Sequence, residues 1–188
     1  MVLSKPLFNF TMWYFNNLFN HPVLTKAITS CIVATSGKLV SELIEGKKTI
    51  NQKGVFAYAL FGLLFGGTCP HYFYQFVERI VTDETKFGVF KKLILERLIY
   101  TPIYQAFILY TLARFEGKNH DRALGQLFVL YVPTLMAAWK YLTLVQILNF
   151  TVVPPMLRVL LLNVVGFLYI VYISRKRQQA KSKSKKSE

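Results

Sequence analysis

The chain has 188 residues, 53% of them apolar, a mean hydropathy of +0.35 and a formal net charge of +14. The length suggests one domain, and 16 Phe with 11 Tyr are more than a small soluble core buries. An ordinary water-soluble globule is therefore excluded in favour of an integral membrane protein. Its charge is concentrated at the end, where RKRQQAKSKSKKSE holds seven of the 23 Lys and Arg. A basic run beside an apolar one points to an anionic membrane surface, with the lipid bilayer as partner and no nucleic acid.

Residues 1–21 form an N-terminal aromatic, interfacial segment. It has no Arg and no compact apolar core ending in small residues, so neither a secretory signal nor a mitochondrial presequence is expected there. Pro22 to Ile44 is the first long apolar segment, and residues 46–53 are a polar linker. Gly54 to Ile80 follows and ends in the polar run Thr82 to Lys86; Phe90 to Phe115 is the third, closed by a surface turn over residues 116–121. Leu124 to Phe150 is interrupted by Pro133 and Lys140, and Pro154 to Ser174 is the last. Each is near or above the roughly 20 residues that a spanning helix needs.

Trp139, Lys140 and Tyr141 resemble an interfacial anchor, which predicts that 124–150 lies partly in the interface. The expected fold is thus all-α, an integral membrane protein with about four transmembrane helices plus an interfacial amphipathic helix. A helical membrane domain over 22–174 is followed by a basic cytosolic tail over 175–188. The tail favours the cytosolic side, and four crossings put the N-terminus there too, although Lys47, Lys48 and Lys53 would then have to be translocated.

At about 100° per residue the first segment has two faces. Ile28, Ile32, Val33, Leu39, Val40 and Leu43 share one arc; Lys26, Ala27, Ser30, Cys31, Ala34, Gly37, Lys38, Ser41, Glu42 and Glu45 share the other. A helix surrounded by lipid is apolar all round, so the second arc faces protein or water. Two readings follow. In one, Ser30, Ala34, Gly37 and Ser41 are a seam for close packing, Lys26 snorkels to an interface and Lys38 pairs with Glu42. In the other, the seam lines an aqueous path, since ionisable groups at depth need a cavity or a partner.

Further polar groups lie within the other segments. His71, after Pro70, reads as a hydrogen-bonded interior histidine. Gly62 and Gly66 permit close backbone approach, and Pro70 predicts a kink whose freed carbonyls Thr68 or a neighbour can satisfy. Glu96 and Arg97 stand about 100° apart, so each is expected to pair with another helix and not with the other. Arg158 starts the last segment. Cys31 and Cys69 read as small buried hydrophobes, and the sequons at Asn9 and Asn149 as accidental. The histidines His21, His71 and His120 lack metal-ligand spacing, and no phosphate loop or nucleophile elbow is present, so neither an enzyme nor a cofactor or metal is expected.

Together these residues resemble the family of Mpv-seventeen and peroxisomal membrane protein two, four-span proteins of peroxisomal and mitochondrial membranes. Pro22-Val23-Leu24-Thr25-Lys26 is similar to the start of its first helix, and Gly67 with His71, Phe73 and Tyr74 to its second. Glu96-Arg97 with Pro102 resembles the third, and Trp139, Gln146, Asn149-Phe150, Pro154 and Arg158 the C-terminal signature. The chain departs from that pattern at Thr68, Glu96, Leu142, Leu144 and Tyr169. The likeness is greatest to the peroxisomal branch. It implies a channel-like protein of the peroxisomal membrane passing small solutes, with the peroxisomal membrane-protein import machinery as a partner and a homo-oligomer as a compatible assembly. Lys26 and Lys38 on a polar seam would suit anionic solutes. The rival is a non-conducting protein that maintains mitochondrial inner or peroxisomal membranes. Lys185 and Lys186 also resemble a dilysine signal of the endoplasmic reticulum.

Overall fold

The computed structural model describes residues 4–46, 49–81 and 87–168. Lys47, Lys48, the run 82–86 and the basic tail lie outside them. Among the described residues the chain is helical throughout its ordered elements. Helix α1 is Ser4–Asn20, α2 is Pro22–Ile44 and α3 is Gln52–Ile80. Helix α4 covers 88–115, α5 is His120–Thr151 and α6 is Arg158–Leu168.

Local chemistry accounts for the ends. Pro22 opens α2, where a missing N–H costs nothing. The Asn51 side chain caps α3 by accepting from the Gly54 N–H at 3.1 Å, and Asn119 caps α5 by accepting from Arg122 at 3.2 Å. Gly46 and Gly117 have φ of +66° and +85° just past α2 and α4, the left-handed stop that only glycine adopts without strain.

Helices α2 to α5 run antiparallel to their neighbours, and side-chain bonds fix the register. Tyr104 donates to the Phe65 carbonyl at 3.1 Å between α4 and α3, and Gln105 donates to Thr134 at 3.2 Å between α4 and α5. Asn163 donates to Ser30 at 2.8 Å, and Arg158 at the start of α6 bonds to Glu78 near the end of α3 and the start of α2, so α6 lies against α2 and runs in the same direction. Tyr14 and Thr29, 3.1 Å apart, tie α1 to α2, while Phe8, Phe10, Trp13 and Phe19 of α1 remain exposed.

Two helices each contain a wide turn with i→i+5 bonding, over Gly62–Gly66 in α3 and Leu95–Tyr100 in α4. The first precedes Pro70, and its carbonyls find other donors: the Thr68 hydroxyl bonds to Leu64 and Tyr104 to Phe65. This is the compensation expected around Pro70.

By length and composition, Pro22–Ile44, Gln52–Ile80 and His120–Thr151 each suffice to cross a membrane. Helix α4 carries Lys91, Lys92, Glu96 and Arg97 in its first half and turns the last three inward. Helix α5 keeps Lys140 and Tyr141 of the anchor-like group exposed. It continues through Pro133 as one 32-residue helix, about 48 Å long. Trp139 is turned toward α4, where its indole N–H donates to the Arg97 carbonyl at 3.1 Å.

Candidate functional site

The two faces predicted for α2 are present in part, since Val33 of the apolar arc lines a cavity within the bundle. Lys26, Ala27, Ser30, Gly37 and Glu42 are buried, whereas Ile28, Ile32 and Leu43 are exposed. Packing against α3 is close because the facing residues lack side chains. A Cβ on Gly62 would lie 2.7 Å from the Ser30 carbonyl oxygen, one on Gly67 2.4 Å from the Lys26 carbonyl carbon, and one on Gly66 3.2 Å from the Ser30 Cβ. Of the expected seam residues, Ser30 makes this close contact, while Ala34 lines a cavity.

Lys26 does not snorkel. It is 4% exposed, and its Nζ lies 3.0 Å from His71 Nδ1. His71 is accordingly the hydrogen-bonded interior histidine that its position suggests. At the other end of α2, Lys38 pairs with Glu42 at 3.1 Å and lies over the Tyr58 ring at 5.3 Å. Glu42 also accepts the Asn51 backbone N–H at 2.7 Å, so this pair closes the α2–α3 connection. Lys38 thus has its own counter-ion.

Glu96 and Arg97 are both buried and, contrary to expectation, face each other, with Arg97 Nε 3.0 Å from Glu96 Oε2. Both atoms lie in the wide turn of α4, which narrows the angle between consecutive residues below 100°. The contact is electrostatic and lacks hydrogen-bond alignment. Arg97 also reaches α5, donating to the Leu142 carbonyl at 2.7 Å, and Thr101 donates to Glu96 at 2.9 Å.

Gln146 and Asn149 are fully buried on α5; Gln146 donates to the Tyr74 hydroxyl at 2.8 Å and accepts from Asn149 at 3.4 Å. Arg158 indeed begins α6. It bonds to Glu78, donates to the Val153 carbonyl at 3.2 Å and lies over the Phe150 ring.

Glu78 escaped the sequence reading. It joins three helices, since Lys92 of α4 also meets its two oxygens at 3.0 and 2.9 Å. Lys92 is fully buried and Arg158 is 3% exposed. The available signal was Arg158 itself, a buried cation near a helix start that needs an acid from elsewhere.

These groups line two cavities. One, the inner, of about 330 Å³, is lined by residues of α2 to α6, with Ser30, Glu96, Arg97, Tyr100, Gln146 and Asn163 among them. The other, of about 440 Å³, lies between the start of α2 and the end of α3, with Lys26, His71, Gln75, Glu78 and Arg79 on its walls. Tyr74, 3% exposed, faces both. Of the candidate residues, Lys26 and His71 meet in the outer cavity and Ser30, Glu96, Arg97 and Gln146 in the inner one. Gly37, Lys38, Glu42, Asn149 and Arg158 stand apart from both.

Residues 113–174 match the Mpv17 / PMP22 family. The chain is 34% identical over 175 residues to PXMP2/4 family protein 3 of Dictyostelium discoideum, covering 91% of this chain and 94% of that protein. It is 30% identical over 168 residues to peroxisomal membrane protein 2 of Bos taurus, covering 86% of each. It is 23% identical over 161 residues to the mitochondrial inner membrane protein Mpv17 of Caenorhabditis briggsae, covering 86% and 89%. No solved structure matches. With two relatives at 30% identity or above over most of its length, an all-helical fold and the motifs that line its interior, the chain belongs to the Mpv17 / PMP22 family of membrane proteins.

Proposed function

We propose that this protein is a channel-like component of the peroxisomal membrane, with its basic tail cytosolic, and that it passes small anionic solutes through the helix bundle. The observation that carries the reading is the pair of cavities sharing Tyr74 as a wall. Polar groups in both, set in a bundle whose outer surface is apolar, are the arrangement by which ionisable side chains at depth serve a solute path. The Gln146 bond to Tyr74 keeps the ring in the path, so the described conformation is the narrow one. The peroxisomal assignment rests on the bovine relative's name and on the lysine-rich tail. Purified protein in planar bilayers should give discrete conductance with a reversal potential displaced toward that of the anion. Silent bilayers containing folded protein would sink the reading.

The tight α2–α3 contact favours a second reading, a non-conducting protein that maintains its membrane through helix contacts. Under it, loss of the protein alters membrane organisation while permeability to small solutes stays unchanged.

A further inference from the structure

The outer cavity is lined by a buried lysine amine that has no ion-pair partner among the described residues. Lys26 is 4% exposed, and among the described residues no carboxylate lies within ion-pair distance of it. An ammonium has three N–H donors, and His71 Nδ1 accepts one. An Nδ1 that accepts leaves the ring hydrogen on Nε2, so His71 too keeps a donor. His71, Gln75 and Arg79 recur at one-turn spacing on α3, from the interior to the exposed end, and all line this cavity.

Glu78, the carboxylate among the lining residues, is already held by Lys92 and Arg158, two cations to one anion. Among the described residues, the wall thus offers spare donors and more cations than anions, bordered by apolar neighbours such as Leu18, Phe19 and Met156. A buried ammonium is costly unless something pairs with it, and this one borders open volume.

We propose that this cavity is an oxyanion site, binding the phosphate or carboxylate group of a small solute or of a lipid headgroup. Lys26 is the charge partner, and Arg79 stands at the mouth. The proposal deepens the channel reading by giving the chemistry of one end of the path, and its test reads binding and not conduction.

The thermal midpoint of the full chain in neutral detergent is measured against sodium phosphate, with sodium chloride at matched ionic strength as reference. Phosphate at about ten times its dissociation constant should raise the midpoint by about 3–6 °C. The rise should vanish in Lys26→Met, survive in Lys26→Arg, and survive in Lys38→Met, because Lys38 belongs to Glu42. Arg79→Glu, at an exposed position, tests the mouth without disturbing packing and should weaken phosphate at least about threefold. Dihexanoyl phosphatidic acid below its micellar concentration is the second arm. A rise with both anions supports a solute site, and a rise with the lipid alone supports a headgroup site. No rise with either, a rise that persists in Lys26→Met, or an affinity unchanged by Arg79→Glu overturns the proposal. Binding without conductance would leave the site standing and remove the channel reading; conductance without binding would do the reverse.

Discussion

Gln146 of α5 donates to the hydroxyl of Tyr74 on α3 at 2.8 Å, across a separation of 72 positions, and both residues are almost wholly buried. The ring so held stands between the two cavities and packs edge-on to Phe150.

Removing that ring should join the cavities. Under the channel proposal, Tyr74→Ala is expected to raise single-channel conductance at least about threefold, whereas Tyr74→Phe, which keeps the ring and loses the bond, should increase opening frequency more than conductance. Truncation of a buried aromatic also costs about 3 kcal/mol, so folding is verified by gel filtration before recording. Equal currents from Tyr74→Ala and the parent chain would exclude Tyr74 as the constriction.

The crossing of α2 over α3 depends on glycine. Gly67→Ala brings a Cβ to 2.4 Å from the Lys26 backbone and must separate the helices, at a cost of about 1–3 kcal/mol. Gly66→Ala, with 3.2 Å to the Ser30 Cβ, should cost less. Gly125→Ala meets nothing within 4 Å and should be neutral or slightly stabilising, as expected for a helical glycine. Thermal midpoints of the three variants give the order directly.

Glu78→Gln takes the carboxylate away from the buried Lys92 and Arg158 and should destabilise the fold by about 3 kcal/mol or more. Because Arg158 shares the interaction, Glu78→Gln with Arg158→Gln should lose less than the sum of the single changes. Additive losses in that cycle would mean that the pair contributes no coupling.

The directions of the helices bear on topology. Helix α6 runs with α2, from Arg158 beside Glu78 to Asn163 beside Ser30, toward the end where α2 stops and α3 starts. If α5 crosses the membrane, the linker lysines and the basic tail share the cytosolic side, and Lys47, Lys48 and Lys53 need no translocation. In a chain with Cys31→Ala and Cys69→Ala, a cysteine at Gln52 should react with impermeant maleimide on intact organelles, and one at Asn20 should be shielded. The opposite pattern would restore four crossings with both termini cytosolic. Protease should remove a C-terminal epitope in either case.

Much of the architecture is legible in the chain itself. Composition declares a membrane protein, and apolar runs between polar linkers delimit helices close to their observed bounds. The period of 3.6 residues alone divides α2 into a lipid face and a buried face, because side-chain direction along a helix is a local property. The spacing of Gly62 and Gly66 likewise announces a close contact, though not with which helix. What tertiary structure decides is the identity of partners. Lys26 meets His71, Gln146 meets Tyr74, and Arg158 meets Glu78 across separations of 45, 72 and 80 positions. Each pairing depends on which helices are neighbours and how each is rotated, and no one-dimensional period encodes that. Trp139 turns to α4 for the same reason, since an indole that resembles an interfacial anchor in sequence takes whatever carbonyl its neighbour presents. Glu96 and Arg97 are joined because a wide turn altered the angular spacing that ideal helix geometry assumes, and such a turn is chosen by packing, not by either residue.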